Sequence, residues 1–331
     1  MAFIKTIFWT GVLVALAAVA GMFFWAQQPI IANGSSLPFT IKPGSGLNST
    51  AQQIADAGLP VDPTLLNLLA RATFKSAKLK AGSYELKPGT SPLKLLDQLV
   101  RGEFAQESLV VIEGWTFKQM RQAIAQHPAL KHDTVALSDQ ELLAKVTSDY
   151  TQAEGLFFPD TYMFAKGASD LQIYRQANAV LIKRLNEAWE KRVNALPYKN
   201  PYEALIMASI VEKETGQKAE RDQIAAVFVN RLKIGMLLQT DPTVIYGMGN
   251  KYQGNIRKRD LETDTPYNTY TRGGLPPTPI ALPGNESLMA ALAPAKSEAL
   301  YFVARGDGSS QFSENLVDHN RAVNKYQRGS N

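Results

Sequence analysis

The chain has 331 residues, 45% hydrophobic and 20% charged, which is enough for two domains with a packed core and far from the composition of a disordered chain. A formal charge of +5 suits an anionic polymer or a membrane surface, but no basic run is interleaved with aromatics, so nucleic acid is not the expected partner. Cysteine is absent, which removes thiol nucleophiles and disulfides, and His127, His132 and His319 lack metal-ligand spacing, so neither a metal nor a diffusible cofactor is expected.

From Ile7 to Ala26 the chain reads "IFWTGVLVALAAVAGMFFWA". That is about twenty residues without a charge, the length a helix needs to cross a bilayer. Trp9 and Trp25 lie near its ends, as interfacial aromatics would, and Lys5 supplies a positive flank. The positive-inside rule then leaves residues 1–6 as a cytoplasmic tip and puts everything after Pro29 outside. The alternative is a signal peptide cleaved after Ala18-Val-Ala20, but the apolar run continues past that point through Phe23-Phe-Trp25, which favours an uncleaved anchor.

Residues 27–38 read as a linker, followed by a strand at Phe39–Lys42. Ser49 is the expected cap of a helix that Gly58 ends, and a second helix from Pro63 carries Leu65, Leu66, Leu68 and Leu69 as an apolar stripe. Lys80–Leu86 alternates as a strand, and Ser91-Pro92 opens a helix that Gly102 closes. This strand–helix–helix–strand order, with "KPG" early and "KAGSYELKPG" late, resembles a LysM-like module. The resemblance implies binding to glycans that contain N-acetylglucosamine; the periodicity alone fits any small αβ spacer.

Further on, Leu109–Ile112 is a strand candidate and Thr116 caps the next helix. Residues 127–152 are polar and helix-forming by halves, a peripheral insertion without recognisable chemistry. "EGLFFPDTY" (154–162) either anchors a loop against a core or offers an aromatic wall to a sugar ring.

Leu205–Val211 is an apolar helical run that ends in "EKETG". On a helix Glu212 and Glu214 point about 200° apart, so they do not share a cleft, and both flanking faces are apolar. Gly216 is the expected terminator. A carboxylate in the last turn meets the negative end of the helix dipole, which disfavours ionisation and suits a general acid. Two solvated surface glutamates would give the same spacing.

Residues 220–233 form an amphipathic helix with Ile224, Val227, Phe228 and Leu232 on its apolar face. Two loop-rich stretches follow, 236–249 and 265–287. They offer Gln239, Thr240, Asp241, Tyr246, Asn268, Thr269 and Tyr270 beside aromatic rings, as a carbohydrate groove does. Ser287 is a cap candidate, and "LYFVARGDGSSQF" reads as a hairpin about Gly306-Asp-Gly308.

"EGLFFPDTY", "ASIVEKET", "ERDQIAAVFVNRLKIGMLLQTDPTVIYGMG", "YNTY", "GLPPTPI" and "YFVARGDG", spread over about residues 108–327, together resemble the endolytic murein transglycosylase (MltG, or YceG-like) family. The anchor and the LysM-like module fit that family's architecture. The resemblance implies that Glu214, the second Glu of "EKE", is the catalytic acid, with Glu220, Gln239, Thr240, Asp241, Asn268 and Tyr270 as orienting or substrate-binding candidates. It implies cleavage of the β-1,4 bond between N-acetylmuramic acid and N-acetylglucosamine in nascent peptidoglycan, leaving 1,6-anhydro ends and terminating strands near the inner-membrane synthases. A non-catalytic wall-binding scaffold and a muramidase pairing Glu214 with Glu220 or Asp241 are the competing readings. The expected fold is α+β, with an anchor (7–26), a small LysM-like module (39–107) and a larger mixed α+β catalytic domain (108–331). The bulk of the chain is expected in the periplasm.

Overall fold

The computed structural model describes residues 2–329. The chain divides into two units, one formed by residues up to Glu107 together with Met163–Ala168, the other by Ser108–Tyr162 and the chain from Ser169 onward.

The first unit opens with α1 (Ala2–Gln27), whose large apolar side chains from Ile7 to Phe24 face outward. One end of it is different: Ala26 is buried, and Met22 and the half-buried Trp25 pack on the unit's core. The strands β1 (Leu37–Ile41) and β2 (Gly82–Leu86) pair antiparallel, Phe39 opposite Tyr84, and those two rings stack at 5.4 Å. Between them lie α2 (Leu47–Asp56) and α3 (Pro63–Ala72), and α4 (Pro92–Arg101) follows. The expected strand–helix–helix–strand order is therefore present, closed by a third helix.

Details differ from the sequence reading. Gly46, not Ser49, precedes α2; the helix begins at Leu47 and the Ser49 hydroxyl instead accepts from Gln53 Nε2 at 2.8 Å. On α3 only Leu66, Leu69 and Ala70 are buried, while Leu65 and Leu68 stay exposed, because a helix one layer deep buries one stripe. Ser91 does cap α4, and Gly102 ends it at φ +72°, a conformation that favours glycine.

The strands β3 (Gln106–Val110) and β4 (Thr161–Ala165) pair, and the unit boundaries fall within them, after Glu107 and after Tyr162. The strand starts earlier than its apolar run, and Ile112 is left exposed beyond it. Thr116 opens α5 (Phe117–Gln126) with a reciprocal capping box to Gln119. Only α6 (Asp139–Ala144) forms within the polar 127–152 stretch. That stretch is pinned by fully buried Asp170, whose carboxylate accepts from the Thr134 hydroxyl at 2.8 Å and from the backbone of Asp133 and Thr134. Phe157 and Phe158 are buried, Phe157 stacking on Phe117 at 5.0 Å, so "EGLFFPDTY" anchors the core and offers no aromatic wall.

Asp170 starts the long helix α7 (Asp170–Glu190), and α8 (Pro201–Glu214) and α9 (Arg221–Lys233) complete the central helices. The peripheral elements are α10 (Asp241–Met248), α11 (Lys258–Glu262), α12 (Asn285–Leu292), the hairpin β5 (Tyr301–Ala304) with β6 (Ser310–Ser313), and α13 (Leu316–Tyr326). The core sits around α8, every residue of which from Ala204 to Val211 is buried, with α9, α12 and α7 packed against it. A helix that is apolar all round has to be central.

Candidate active site

Asn200 starts α8 by accepting from the Glu203 amide at 3.0 Å, with Pro201 in the first turn. The helix ends because Thr215 turns extended (φ −139°, ψ 135°); Gly216 does not supply a left-handed terminator. The final turn carries Glu212 and Glu214 into two different environments.

Glu212 is sealed, its side chain 5% exposed. Its carboxylate accepts from Arg221 Nη2 at 3.1 Å, from the Gly284 amide at 2.9 Å and from the Ser287 hydroxyl at 2.7 Å. Arg221 in turn reaches Glu286 at 3.2 Å. Ser287 therefore does not cap α12, which Gly284 precedes; its hydroxyl is spent on Glu212. A Cβ at Gly284 would meet the Glu113 carboxylate, so a side chain there requires the flexible Glu113 to move aside. Glu212 is thus a satisfied cross-link between α8, α9 and the start of α12.

Glu214 lines a groove of about 660 Å³ together with Arg231, Gln239, Asp241, Tyr270 and Tyr301. Among the described residues its one hydrogen-bond donor is the Thr240 hydroxyl, 2.7 Å from Oε2. Burial pushes its pKa above the usual carboxylate range and the nearby Asp241 charge adds to this, against the Thr240 hydrogen bond and the Arg231 charge, which favour the anion. The balance holds a proton on Glu214 to higher pH than on an ordinary glutamate.

The segment opposite is fixed from below by a knot of buried threonines. The Thr240 amide donates to Thr269 Oγ1 at 3.1 Å, and the Thr243 hydroxyl lies 2.7 Å from the Thr240 carbonyl and 2.9 Å from Thr269 Oγ1. Gln239, just before, sits at φ +50°, a left-handed conformation uncommon for a residue with a side chain. Its amide donates to the Thr269 carbonyl at 3.1 Å. Asp241 accepts from Tyr270 OH at 2.6 Å.

The structure therefore brings Glu214, Gln239, Thr240, Asp241 and Tyr270 together. It places the other two candidates elsewhere. Glu220 does not itself line the groove but holds a residue that does: it accepts from the amide and hydroxyl of groove-lining Ser310 at 2.6 and 2.7 Å and so ties the hairpin down. Asn268 is fully buried, its side-chain amide donating to the carbonyls of Leu261 and Thr263 while its Oδ1 accepts from the Tyr270 amide, which leaves it a loop staple.

Sequence reasoning missed Arg231 and Tyr301. Arg231 was detectable: with Ile224, Val227 and Phe228 it completes an i, i+3, i+4, i+7 stripe, and an arginine on a buried stripe is unusual. Tyr301 lies in a hairpin read as purely structural and reaches the groove only through tertiary folding. A further buried acid, Glu154, lies outside the groove. It accepts from the Phe117 amide at 2.9 Å and from Tyr246 OH at 3.1 Å, and burial pushes its pKa up to about 7.

Residues 39–325 match the YceG-like family. The chain is 35% identical to the endolytic murein transglycosylase of Bacillus subtilis over 276 residues, covering 76% of this chain and 75% of that one. It is 28% identical to the enzyme of the same name from Streptococcus pneumoniae over 94% of its own length, and spans 63% of that longer protein. The crystal structure of a yceG-like protein from Listeria monocytogenes superposes with a TM-score of 0.55 at 30% identity, covering 87% of this chain and 99% of that one. Coverage on this scale places the chain in the YceG-like family.

Proposed function

We propose that the chain is an endolytic lytic transglycosylase that cleaves the β-1,4 bond between N-acetylmuramic acid and N-acetylglucosamine within peptidoglycan strands, leaving 1,6-anhydro ends. The observation that carries this reading is a single proton-holding carboxyl group, Glu214, in an open groove beside aromatic and hydrogen-bonding side chains. The names of its relatives support the same class of lyase.

The chemistry needs only one such group. Glu214 gives its proton to the glycosidic oxygen as the bond from that oxygen to the muramoyl C1 breaks. The muramoyl C6 hydroxyl then attacks C1, forming the 1,6-anhydro bridge, and its proton returns to the Glu214 carboxylate. Because the nucleophile belongs to the substrate, it gains from proximity and no water has to be activated. The Thr240 hydroxyl steadies the carboxylate between the two transfers. A hydrolase would need a second, free carboxylate. Of the acids near Glu214 in sequence and space, Asp241 is engaged by Tyr270 and Glu220 by Ser310. This disfavours Glu220 as the second carboxylate of a muramidase, since both of its oxygens are taken.

The exposed apolar helix α1 fits a single-pass anchor in the cytoplasmic membrane, with the rest of the chain on the wall side, where nascent strands leave their synthases. The first unit fits a LysM-like glycan-holding role, supported by a groove of about 900 Å³ lined by Phe104 with Lys94, Gln98 and Arg101.

Mass spectrometry of sacculi digested with the purified chain tests this reading. Anhydro ends that disappear with Glu214→Gln support it. Reducing ends would indicate a muramidase, and no release a wall-binding scaffold.

A further inference from the structure

Arg231 is a cation beside the acid, and the mechanism above gives it no task. The residue is 8% exposed, and its guanidinium is clamped by two backbone carbonyls: Nε donates to Leu300 O and Nη1 to Leu238 O, both at 2.7 Å. The guanidinium also lies over the Tyr301 ring, 5.3 Å from its centroid. One carbonyl precedes β5; the other comes just before the left-handed Gln239. The side chain is therefore held from two directions and has no freedom to swing away.

What remains is Nη2. It has no protein partner among the described residues, and it is not sealed from solvent. Arg231 lines the groove with Glu214. A pre-ordered guanidinium edge with two unused N–H donors, at the wall of a groove that also holds an acid, is a site for an oxygen acceptor. Among the described residues no carboxylate forms an ion pair with Arg231, although the Glu214 charge acts on it from across the groove, so this edge is left for an acceptor on the ligand.

Resting on the reading of this groove as a glycan site, we propose that Arg231 Nη2 is a substrate-binding donor that takes the carbonyl oxygen of an N-acetyl group on a sugar flanking the bond at Glu214. Hydroxyls cover every sugar, but the amide carbonyl is the strongest neutral acceptor on an N-acetylhexosamine. It is also a pure acceptor, which matches a donor-only guanidinium. The contact makes the groove selective for N-acetylated strands over unmodified glucans. The Tyr301 ring under the guanidinium limits its remaining approach directions to the open edge.

The test uses the full chain in detergent carrying Glu214→Gln, so that nothing is cleaved, with two uncharged probes: chitotetraose, which carries N-acetyl groups, and cellotetraose, which has hydroxyls in their place. A charge-assisted hydrogen bond predicts that chitotetraose binds about 10- to 100-fold more tightly. Equal affinity for the two overturns the proposal, as does no binding of chitotetraose. Adding Arg231→Lys, which keeps the charge but loses the fork, should abolish most of that preference while leaving cellotetraose affinity in place. A loss of the same factor for both probes means general collapse of the groove and overturns it too. If Arg231→Lys fails to fold, Arg231→Gln takes its place on the same two probes, and an unchanged preference for chitotetraose in that variant overturns the proposal. Chitotetraose has no carboxylate, so an arginine that reads a peptide-stem carboxylate would show no preference. The outcome is also separable from the activity proposed above: a chain that prefers chitotetraose but never cleaves sacculi sinks the transglycosylase reading and keeps this one.

Discussion

The Thr240 hydroxyl stands 2.7 Å from Oε2 of Glu214 and is the one hydrogen-bond donor that this carboxyl group has among the described residues. The threonine is itself 2% exposed and locked by Thr243 and Thr269. A donor fixed so firmly favours the carboxylate form of its acceptor.

Thr240→Val keeps the shape and deletes that donor. Glu214 then holds its proton to higher pH still, because a force favouring the anion is gone. In the proposed mechanism Glu214 acts only while protonated, so the alkaline limb of the pH–rate profile moves to higher pH. The maximal rate falls about 10-fold or more, since the carboxylate left after proton transfer has lost a charge-assisted bond. A profile that keeps its alkaline limb in place would show that Thr240 does not act on Glu214.

Glu212 is the contrasting carboxylate. Its side chain and that of Arg221 are 5% and 6% exposed. Glu212→Ala leaves Arg221 buried, with partially exposed Glu286 as its closest remaining partner. Removing one member of a buried pair costs about 3–5 kcal/mol, so urea denaturation should show a loss of about 3 kcal/mol. A loss below about 1 kcal/mol would mean that the network relaxes or hydrates freely.

These two glutamates also mark what the sequence could and could not tell. Periodicity placed them on opposite faces of α8 but could not say which face met a groove, because both neighbouring surfaces are apolar and the answer depends on α12 and on the 239–241 segment. Local signals fared well where the physics is local: Ser91 and Gly102 bound α4, Thr116 caps α5, and the hairpin turns at Gly306–Gly308. They failed where a polar side chain had a distant partner. Ser287 looks like a cap and serves Glu212; Asn268 looks like a ligand-binding amide and staples its own loop. Glu220 reads as an acid near Glu214, yet it holds Ser310, ninety residues further along.

Glu154 makes stability depend on pH. In the unfolded chain it titrates near 4.5; in the folded chain burial raises it to about 7, against the hydrogen bonds from Phe117 and Tyr246. Between those values the native state keeps a proton that the unfolded chain has released, so stability falls as pH rises through this window. The shift corresponds to about 3 kcal/mol at most. Urea midpoints should therefore drop between pH 5 and pH 8, and Glu154→Gln should flatten that drop by removing the titration. A variant that keeps the full slope would place its origin elsewhere.

Asp241 acts on Glu214 in the sense opposite to Thr240. Its negative charge opposes ionisation of Glu214, and its own Oδ1 accepts from Tyr270 OH at 2.6 Å. Asp241→Asn removes the charge while the side-chain carbonyl can keep the tyrosine bond. Glu214 then ionises at lower pH, and the alkaline limb of the pH–rate profile moves down, the reverse of the Thr240→Val displacement. A smaller fraction of the enzyme then carries the proton that the proposed mechanism donates, so the rate falls, and it recovers as the assay is made more acidic. An Asp241 acting instead as the base of a hydrolase would give a different result: Asp241→Asn would abolish activity at every pH, with no recovery in acid. One pH series on one variant thus separates a tuning charge from a second catalytic carboxylate.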